Sequence, residues 1–219
     1  MKKGLGVFVV ALFVLPGAAL MPLAMLSESN TPAGNARGGS GRVSGVPEEY
    51  QDAVWRAGQA CDVVSPSLIA AQADHESAHT WDPTITSPAG AQGISQFMPA
   101  TWATHGRDGD GDGRADITNG SDSIYSQGLY MCELAKSVDS WLASGLVSGD
   151  RVDLTLAAYN AGPGAVRSWG GIPPYKETQG YVKSIREAQT RFVETVTSEP
   201  SSDGILLAQA RTHLGTPYV

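Results

Sequence analysis

Basic runs are almost absent from this chain: Lys2-Lys3 is the one place where two cations adjoin. Lys and Arg number 15 against 22 Asp and Glu, for a net charge of −7. That balance excludes the clustered cationic surface that nucleic-acid phosphates require, so no nucleic-acid partner is expected. Period-two alternation of apolar and polar residues is also nearly missing, which argues against a sheet-based domain. Cysteine is scarce, with Cys61 and Cys132 as the whole complement. One long apolar run exists, Gly4 to Leu26, and Pro16 and Pro22 interrupt it.

What is present is globular: 42% hydrophobic residues and 17% charged ones over 219 residues, enough for one ordinary domain with appendages. Residues 1–26 read as a signal peptide or a membrane anchor. The basic start and apolar stretch suit the first, and the length of the stretch suits the second. Either reading exports the rest of the chain. Residues 27–46 are small, polar and glycine-rich, the composition of a flexible linker. A structured domain is expected over 47–198, and 199–219 form a polar break and a further short segment. In an exported chain the even cysteine count points to a Cys61–Cys132 disulfide, with two buried thiols as the alternative.

The domain reads as mostly α. Tyr50, Val54 and Ala57 share one helix face, and Ser65-Pro66 combines an N-cap with proline at the first helical position, opening a helix to about Ala78. A long helix is expected from Asp122, with Ile124, Gly128, Met131, Ala135, Val138 and Leu142 inward. A short apolar helix is expected over 151–160. The last, from about Thr178, turns Tyr181, Ile185, Ala188, Phe192 and Val196 inward.

His75-Glu76-Ser77-Ala78-His79 fits the H-E-x-x-H pattern of zinc peptidases, two imidazoles a turn apart with a glutamate base. The Gly and His that a metzincin adds downstream are replaced by Asp82 and Ile85. Glu76 has a second reading. Ile69 and Ala73 lie on its face of the helix, and a carboxyl on an apolar face loses solvation, which raises its pKa toward that of a general acid. A third reading is a plain interhelical hydrogen bond.

Three further segments decide between them. These are Ser87-Pro88-Ala89-Gly90-Ala91-Gln92-Gly93-Ile94-Ser95-Gln96-Phe97-Met98-Pro99, then Ala157-Ala158-Tyr159-Asn160-Ala161-Gly162-Pro163-Gly164, then Glu177-Thr178-Gln179-Gly180-Tyr181-Val182. With Glu76-Ser77 they resemble, in order and over about Val46 to Val193, the soluble lytic transglycosylase family. The resemblance implies a lysozyme-like fold of the goose-type lysozyme/SLT kind and cleavage of peptidoglycan glycan strands. Glu76 would be the catalytic acid, with Ser77, Gly93, Gln96, Phe97, Tyr159, Asn160 and Tyr181 at the substrate.

Gly90 and Gly93 would let backbone approach a sugar. Gln96 and Asn160 offer paired donors and acceptors. Tyr159 offers a flat face, and is the residue expected to tune the Glu76 proton. Ile94-Ser95 departs from the family's Leu-Met, a change expected at the cleft wall. No second carboxylate is assigned, so the resemblance implies a one-carboxylate route to a 1,6-anhydro sugar, with simple hydrolysis as the alternative and no cofactor for catalysis. A non-catalytic glycan-binding module is a further alternative. Expected neighbours are the glycan strands, the membrane through residues 4–26 if these are retained, and cell-envelope, secretion or conjugation machinery.

Asp108-Gly109-Asp110-Gly111-Asp112-Gly113-Arg114-Ala115-Asp116 matches the start of a calcium loop. Asp108, Asp110, Asp112 and Asp116 would give carboxylates and Arg114 its carbonyl to a structural Ca2+. Position 12 is Asn119 rather than Glu, which leaves room for another group such as Asp122. Finally, Ala208 to Val219 resembles the opening of an NlpC-type cysteine-peptidase domain, truncated before its cysteine; a plain helix is the alternative.

Overall fold

The computed structural model describes residues 40–197. The expectations for the apolar run at 4–26 and for the tail from 199 fall outside them. Strand β1 (Ser40–Val43) leads through a 3-10 turn to α1 (Gln51–Gly58) and α2 (Pro66–Glu76). After a long loop come α3 (Pro99–His105), α4 (Gly120–Ala143), α5 (Arg151–Ala161), α6 (Pro163–Trp169), α7 (Lys176–Gln189) and strand β2 (Glu194–Thr197). Among the described residues no helix is long and apolar enough to cross a membrane.

Local chemistry sets the helix starts. Ser65 Oγ accepts from Leu68 N at 3.2 Å, with Pro66 at the first position of α2. Asn119 Oδ1 accepts from Ser121 N at 2.9 Å, so α4 begins at Gly120, ahead of the expected Asp122. Asp150 Oδ1 caps α5 through Val152 N and Asp153 N, both at 3.0 Å. Gly162, at φ +85°, separates α5 from Pro163 and starts α6.

The core forms around α4, which packs on α1, α2 and α5. Ile124, Met131, Ala135 and Val138 are buried along its inner face, as the periodicity expects, and Leu142 is half-buried. Gly128 is the crossing point with α1: a Cβ there would stand 2.7 Å from both the Ala57 Cβ and its carbonyl oxygen. Substituting it would push the two helices apart.

Two expectations need correction. The linker reading of 27–46 fails over its last seven residues, because β1 pairs antiparallel with β2, Ser40 opposite Thr197 and Val43 opposite Glu194. Gln51 holds the strand to α1 by accepting from Val43 N at 2.9 Å and donating to Val43 O and Val46 O. These polar ties and the buried Val43 side chain lie among small residues whose composition alone reads as linker. Val196 is exposed rather than inward, because α7 stops at Gln189 and the chain continues as strand β2.

Cys61 and Cys132 form a disulfide between the segment after α1 and the middle of α4, 71 residues apart. In the chain-entropy account, closing a loop of that length stabilises by about 4 kcal/mol. Converting both cysteines to alanine is therefore expected to lower the melting temperature by roughly 10 °C. Scanning calorimetry checks this, and an unchanged transition would show that the helices hold this junction unaided.

Candidate active site

Glu76 is the last residue of α2, and the chain leaves the helix abruptly behind it. Ala78, His79 and Trp81 all adopt positive φ, +52°, +65° and +56°. Conformations of this kind cost non-glycine residues on the order of 1–3 kcal/mol each and persist where surrounding contacts hold them. Ser77 Oγ accepts from Trp81 N at 3.1 Å, Thr80 Oγ1 donates to Ser77 O at 2.6 Å, and His79 pairs with Asp74 at 2.7 Å. The Trp81 ring lies 6.2 Å from that of Tyr50, nearly parallel to it.

This ending removes the zinc reading. His79 lies beyond the helix at φ +65°, its ring edge-on to that of His75 with 6.5 Å between centroids, and its Nδ1 is taken by Asp74. Glu76 turns inward to Tyr181 instead, and His79 to Asp74. Among the described residues, the side chains whose ligand atoms converge as a group of three are Asp108, Asp110 and Asp122.

The Glu76 side chain enters the core beside Ile69 and Ala73, both fully buried, and is itself 7% exposed. Its Oε1 accepts from the Tyr181 hydroxyl at 2.7 Å. That hydroxyl in turn accepts from Gln72 Nε2 at 3.0 Å. Burial pushes the Glu76 carboxyl up to about 8; the Tyr181 hydrogen bond opposes this and the charge of Glu177 reinforces it. Burial also drives the Tyr159 and Tyr181 phenols well above their usual range and lowers His75. The site thus holds a neutral carboxylic acid at pH 7.

The hydroxyl on Glu76 belongs to Tyr181, not to Tyr159 as expected. Tyr159 donates to the carbonyl of Ser95 at 2.8 Å and packs its ring on Phe97 and Tyr130. It remains within electrostatic reach of Glu76. Asn160 accepts from Thr178 Oγ1 at 2.7 Å, which ties the end of α5 to the first turn of α7. Ser77 is fully buried and serves the turn after α2. Phe97 is 2% exposed, wedged among Trp102, Tyr130 and Tyr159, so its ring is a support and not a binding surface.

The loop before α3 is folded on itself. Gln92 and Phe97 exchange backbone hydrogen bonds at 2.9 and 3.0 Å. Gln96, at φ +49°, donates to Gly93 O at 2.9 Å, which spends one of its amide hydrogens inside the loop. Gly93 is required by the protein itself: at φ +75° a Cβ would stand 2.2 Å from the Ile117 carbonyl oxygen. Gly90, at φ +90°, has open space around it and serves the turn.

The family departure at Ile94-Ser95 also lies inside. Both residues are fully buried, and Ser95 Oγ donates to Gln127 Oε1 at 2.7 Å while its backbone N bonds Ser123 Oγ. Gln127 passes the tie on to Ile69 O at 3.3 Å. Gln72, Ser123 and Gln127 carry no motif in the sequence. The available signal was a polar residue inside an apolar helical stripe: Gln72 precedes Glu76 by one turn, and Gln127 sits between Ile124 and Met131.

In the acidic loop, Asp108 and Asp110 converge with Asp122, their ligand oxygens all within 4.8 Å of one another. Asp122 is buried; its Oδ1 accepts from Gly109 N at 2.7 Å and its Oδ2 from Asp116 N at 2.8 Å. Asp112 and Asp116 cap local turns through Arg114 N and Thr118 N at 2.8 Å, as Asp108 does through Gly111 N and Asp110 through Asp112 N. Arg114 is exposed at that turn. Of the expected carboxylates Asp108 and Asp110 converge, and Asp122, expected as a completing group, joins them.

The sequence model of the transglycosylase SLT domain matches residues 53–182, more than half of the chain and all of the site just described around Glu76. The chain belongs to this family. Soluble lytic murein transglycosylase from Salmonella typhimurium is 32% identical over 156 residues, 64% of this chain and 22% of that protein. Its counterpart from Escherichia coli K12 is 33% identical over 146 residues, 56% and 20% of the two chains. The chain therefore spans about a fifth of the length of these relatives. Among solved structures, the 70 kDa soluble lytic transglycosylase from Escherichia coli matches with a TM-score of 0.49 and 27% identity, over 65% of this chain and 24% of that one.

A raised acid makes stability pH-dependent with a definite sign. Folding lifts the Glu76 carboxyl from an ordinary 4.5 to about 8, so its favourable contribution is complete below pH 4.5 and is lost as pH rises through 8. The Glu76→Gln variant lacks this titration. Its melting temperature is expected to equal the wild type's or fall slightly below it near pH 5, and to exceed it near pH 9. Parallel melting curves across that range would refute the assignment.

Proposed function

We propose that this SLT domain is a peptidoglycan lytic transglycosylase that cleaves the β-1,4 bond from MurNAc to GlcNAc, with Glu76 as acid and then base. The observation that carries the reading is the neutral, buried carboxyl of Glu76, held by one hydroxyl at the end of α2 in a domain of this family. The relatives' names supply the murein substrate class. Glu76 would give its proton to the leaving GlcNAc oxygen as the C1–O bond breaks. The MurNAc C6 hydroxyl would then close on C1 and return its proton to Glu76, so no water is consumed and the residue ends as it began. The disulfide and a wall substrate together support an exported, cell-envelope location.

Glu177 is the carboxylate whose charge reaches Glu76. It is exposed and makes the hydrolytic route a concrete alternative, with Glu177 activating water. Mass spectrometry of digested walls separates the two. Released muropeptides lighter by one water than the hydrolysed product are expected, and hydrolysed ends alone would replace this reading with a muramidase. Glu76→Gln is expected to lower release by at least about a thousandfold.

We also infer that the loop over 108–122 holds Ca2+. Three carboxylates brought this close repel one another, and an all-oxygen set suits a hard cation. Asp108, Asp110 and Asp122 would hold it, pinning the loop between α3 and α4. Calcium is expected to raise the melting temperature of chelator-treated protein by several degrees, and Asp110→Asn to remove most of that gain. No shift with calcium would discard the site.

A further inference from the structure

We propose that Gln72 is a positioning residue for Glu76: acting through the Tyr181 hydroxyl, it decides which carboxyl oxygen carries the acid proton. The inference rests on the reading of Glu76 as the acid and goes beyond it. A phenol has one hydrogen to give and can also accept. The Tyr181 hydroxyl has two neighbours on opposite sides of this requirement, the Gln72 amide nitrogen at 3.0 Å and Glu76 Oε1 at 2.7 Å. The amide nitrogen can only donate. With the phenol oxygen accepting from it, the phenol hydrogen points at Glu76 Oε1. A neutral Glu76 must then carry its own proton on Oε2, the oxygen that Tyr181 does not occupy and the one available to a leaving group.

The alternative arrangement shows what Gln72 prevents. Were the amide reversed, its oxygen would draw the phenol hydrogen, and Oε1 of neutral Glu76 would donate to the phenol. The catalytic proton would then be held inside the protein. Gln72 and Tyr181 are 0% and 3% exposed, so bulk water does not relax the choice. The amide oxygen of Gln72 is buried without a hydrogen-bond partner, so the side chain forgoes half of its bonding capacity while it serves the phenol. That sacrifice is poorly explained by stability alone.

The other ionisable groups around the pair are accounted for. On α2, His75 packs edge-on against the Tyr181 ring at 5.2 Å, and Asp74 is paired with His79. From α7, Glu177 acts on Glu76 by charge, and from α5 Tyr159 acts on Tyr181, with Tyr130 of α4 behind it. None of these donates to the Tyr181 oxygen; Gln72 does.

The test is a double-mutant cycle read on the Glu76 carboxyl itself, by carbon NMR titration of glutamate-labelled protein. Removing the amide donor with Gln72→Met frees the phenol to accept from neutral Glu76, so the neutral form gains. The carboxyl is expected to titrate about one pH unit higher, with kcat on purified walls down about tenfold and KM unchanged. In a Tyr181→Phe background Gln72→Met is expected to add nothing. Gln72→Asn, too short to reach the phenol, serves the same comparison if the methionine variant does not fold. A Glu76 titration that stays put, or moves equally with and without the Tyr181 hydroxyl, overturns the proposal and leaves Gln72 as packing. A wild-type domain that releases nothing from walls would sink the functional reading alone, since the titration decides the role of Gln72 independently.

Discussion

The structure around α2 depends on keeping one carboxyl group out of water. Desolvating Glu76 costs free energy only in its charged form, so the protein meets the cost by leaving the proton on. One strong hydrogen bond from Tyr181 limits that cost without abolishing it. A cationic partner would have made the group an ordinary ion pair with a low pKa, and it would then have no proton to give near neutral pH. The balance needs α7 against α2, since the acid is on one and its hydroxyl on the other. It also needs α4 behind α2, because Gln127 fixes the Ile69 carbonyl and the loop at Ser95 at once.

The left-handed turn after Glu76 belongs to the same constraint. Helix α2 stops as soon as Glu76 is placed. Ending it at Glu76 puts three residues into unfavourable backbone conformations, which the Ser77 and Thr80 hydroxyls and the Asp74–His79 pair hold in place. Ser77 is thus better understood as the residue that terminates the helix than as one that touches sugar. Gly93 and Phe97 are parallel cases. Gly93 fits against the Ile117 carbonyl and Phe97 packs inside, so both serve as internal framework of their loop.

Helix periodicity and caps carried most of the fold: Ser65-Pro66, the α4 stripe and the Asn160-Gly162-Pro163 break all lie where their residue types place them. The apolar setting of Glu76 was legible for the same reason, because Ile69, Ala73 and Glu76 share a face by spacing. That spacing fits a plain interhelical hydrogen bond equally well, and the three later segments were needed to favour acid chemistry. The pairing of β1 with β2 was not, since four-residue strands far apart in the chain carry no periodic signal and their partner is chosen by Gln51 and the core. The choice of Tyr181 over Tyr159 was equally hidden. Both are tyrosines on helices that flank α2, and which hydroxyl reaches the carboxyl depends on how α5 and α7 pack, not on any local pattern.

The buried glutamines show how far polar residues can be read once packing is known. Gln51, Gln72 and Gln127 are each buried, and each joins elements that share no backbone hydrogen bonds with its own. Gln51 fastens the edge strand, Gln127 fastens the loop and α2, and Gln72 fastens the tyrosine on the acid. An uncharged amide suits these positions because it can satisfy backbone and hydroxyl groups without burying a charge. A lysine or arginine at Gln72, one hydroxyl away from Glu76, would bring a buried cation toward the carboxyl and pull its pKa down. Keeping cations away from the acid is therefore part of what makes it an acid, and it accords with the shortage of basic residues that marks the chain as a whole.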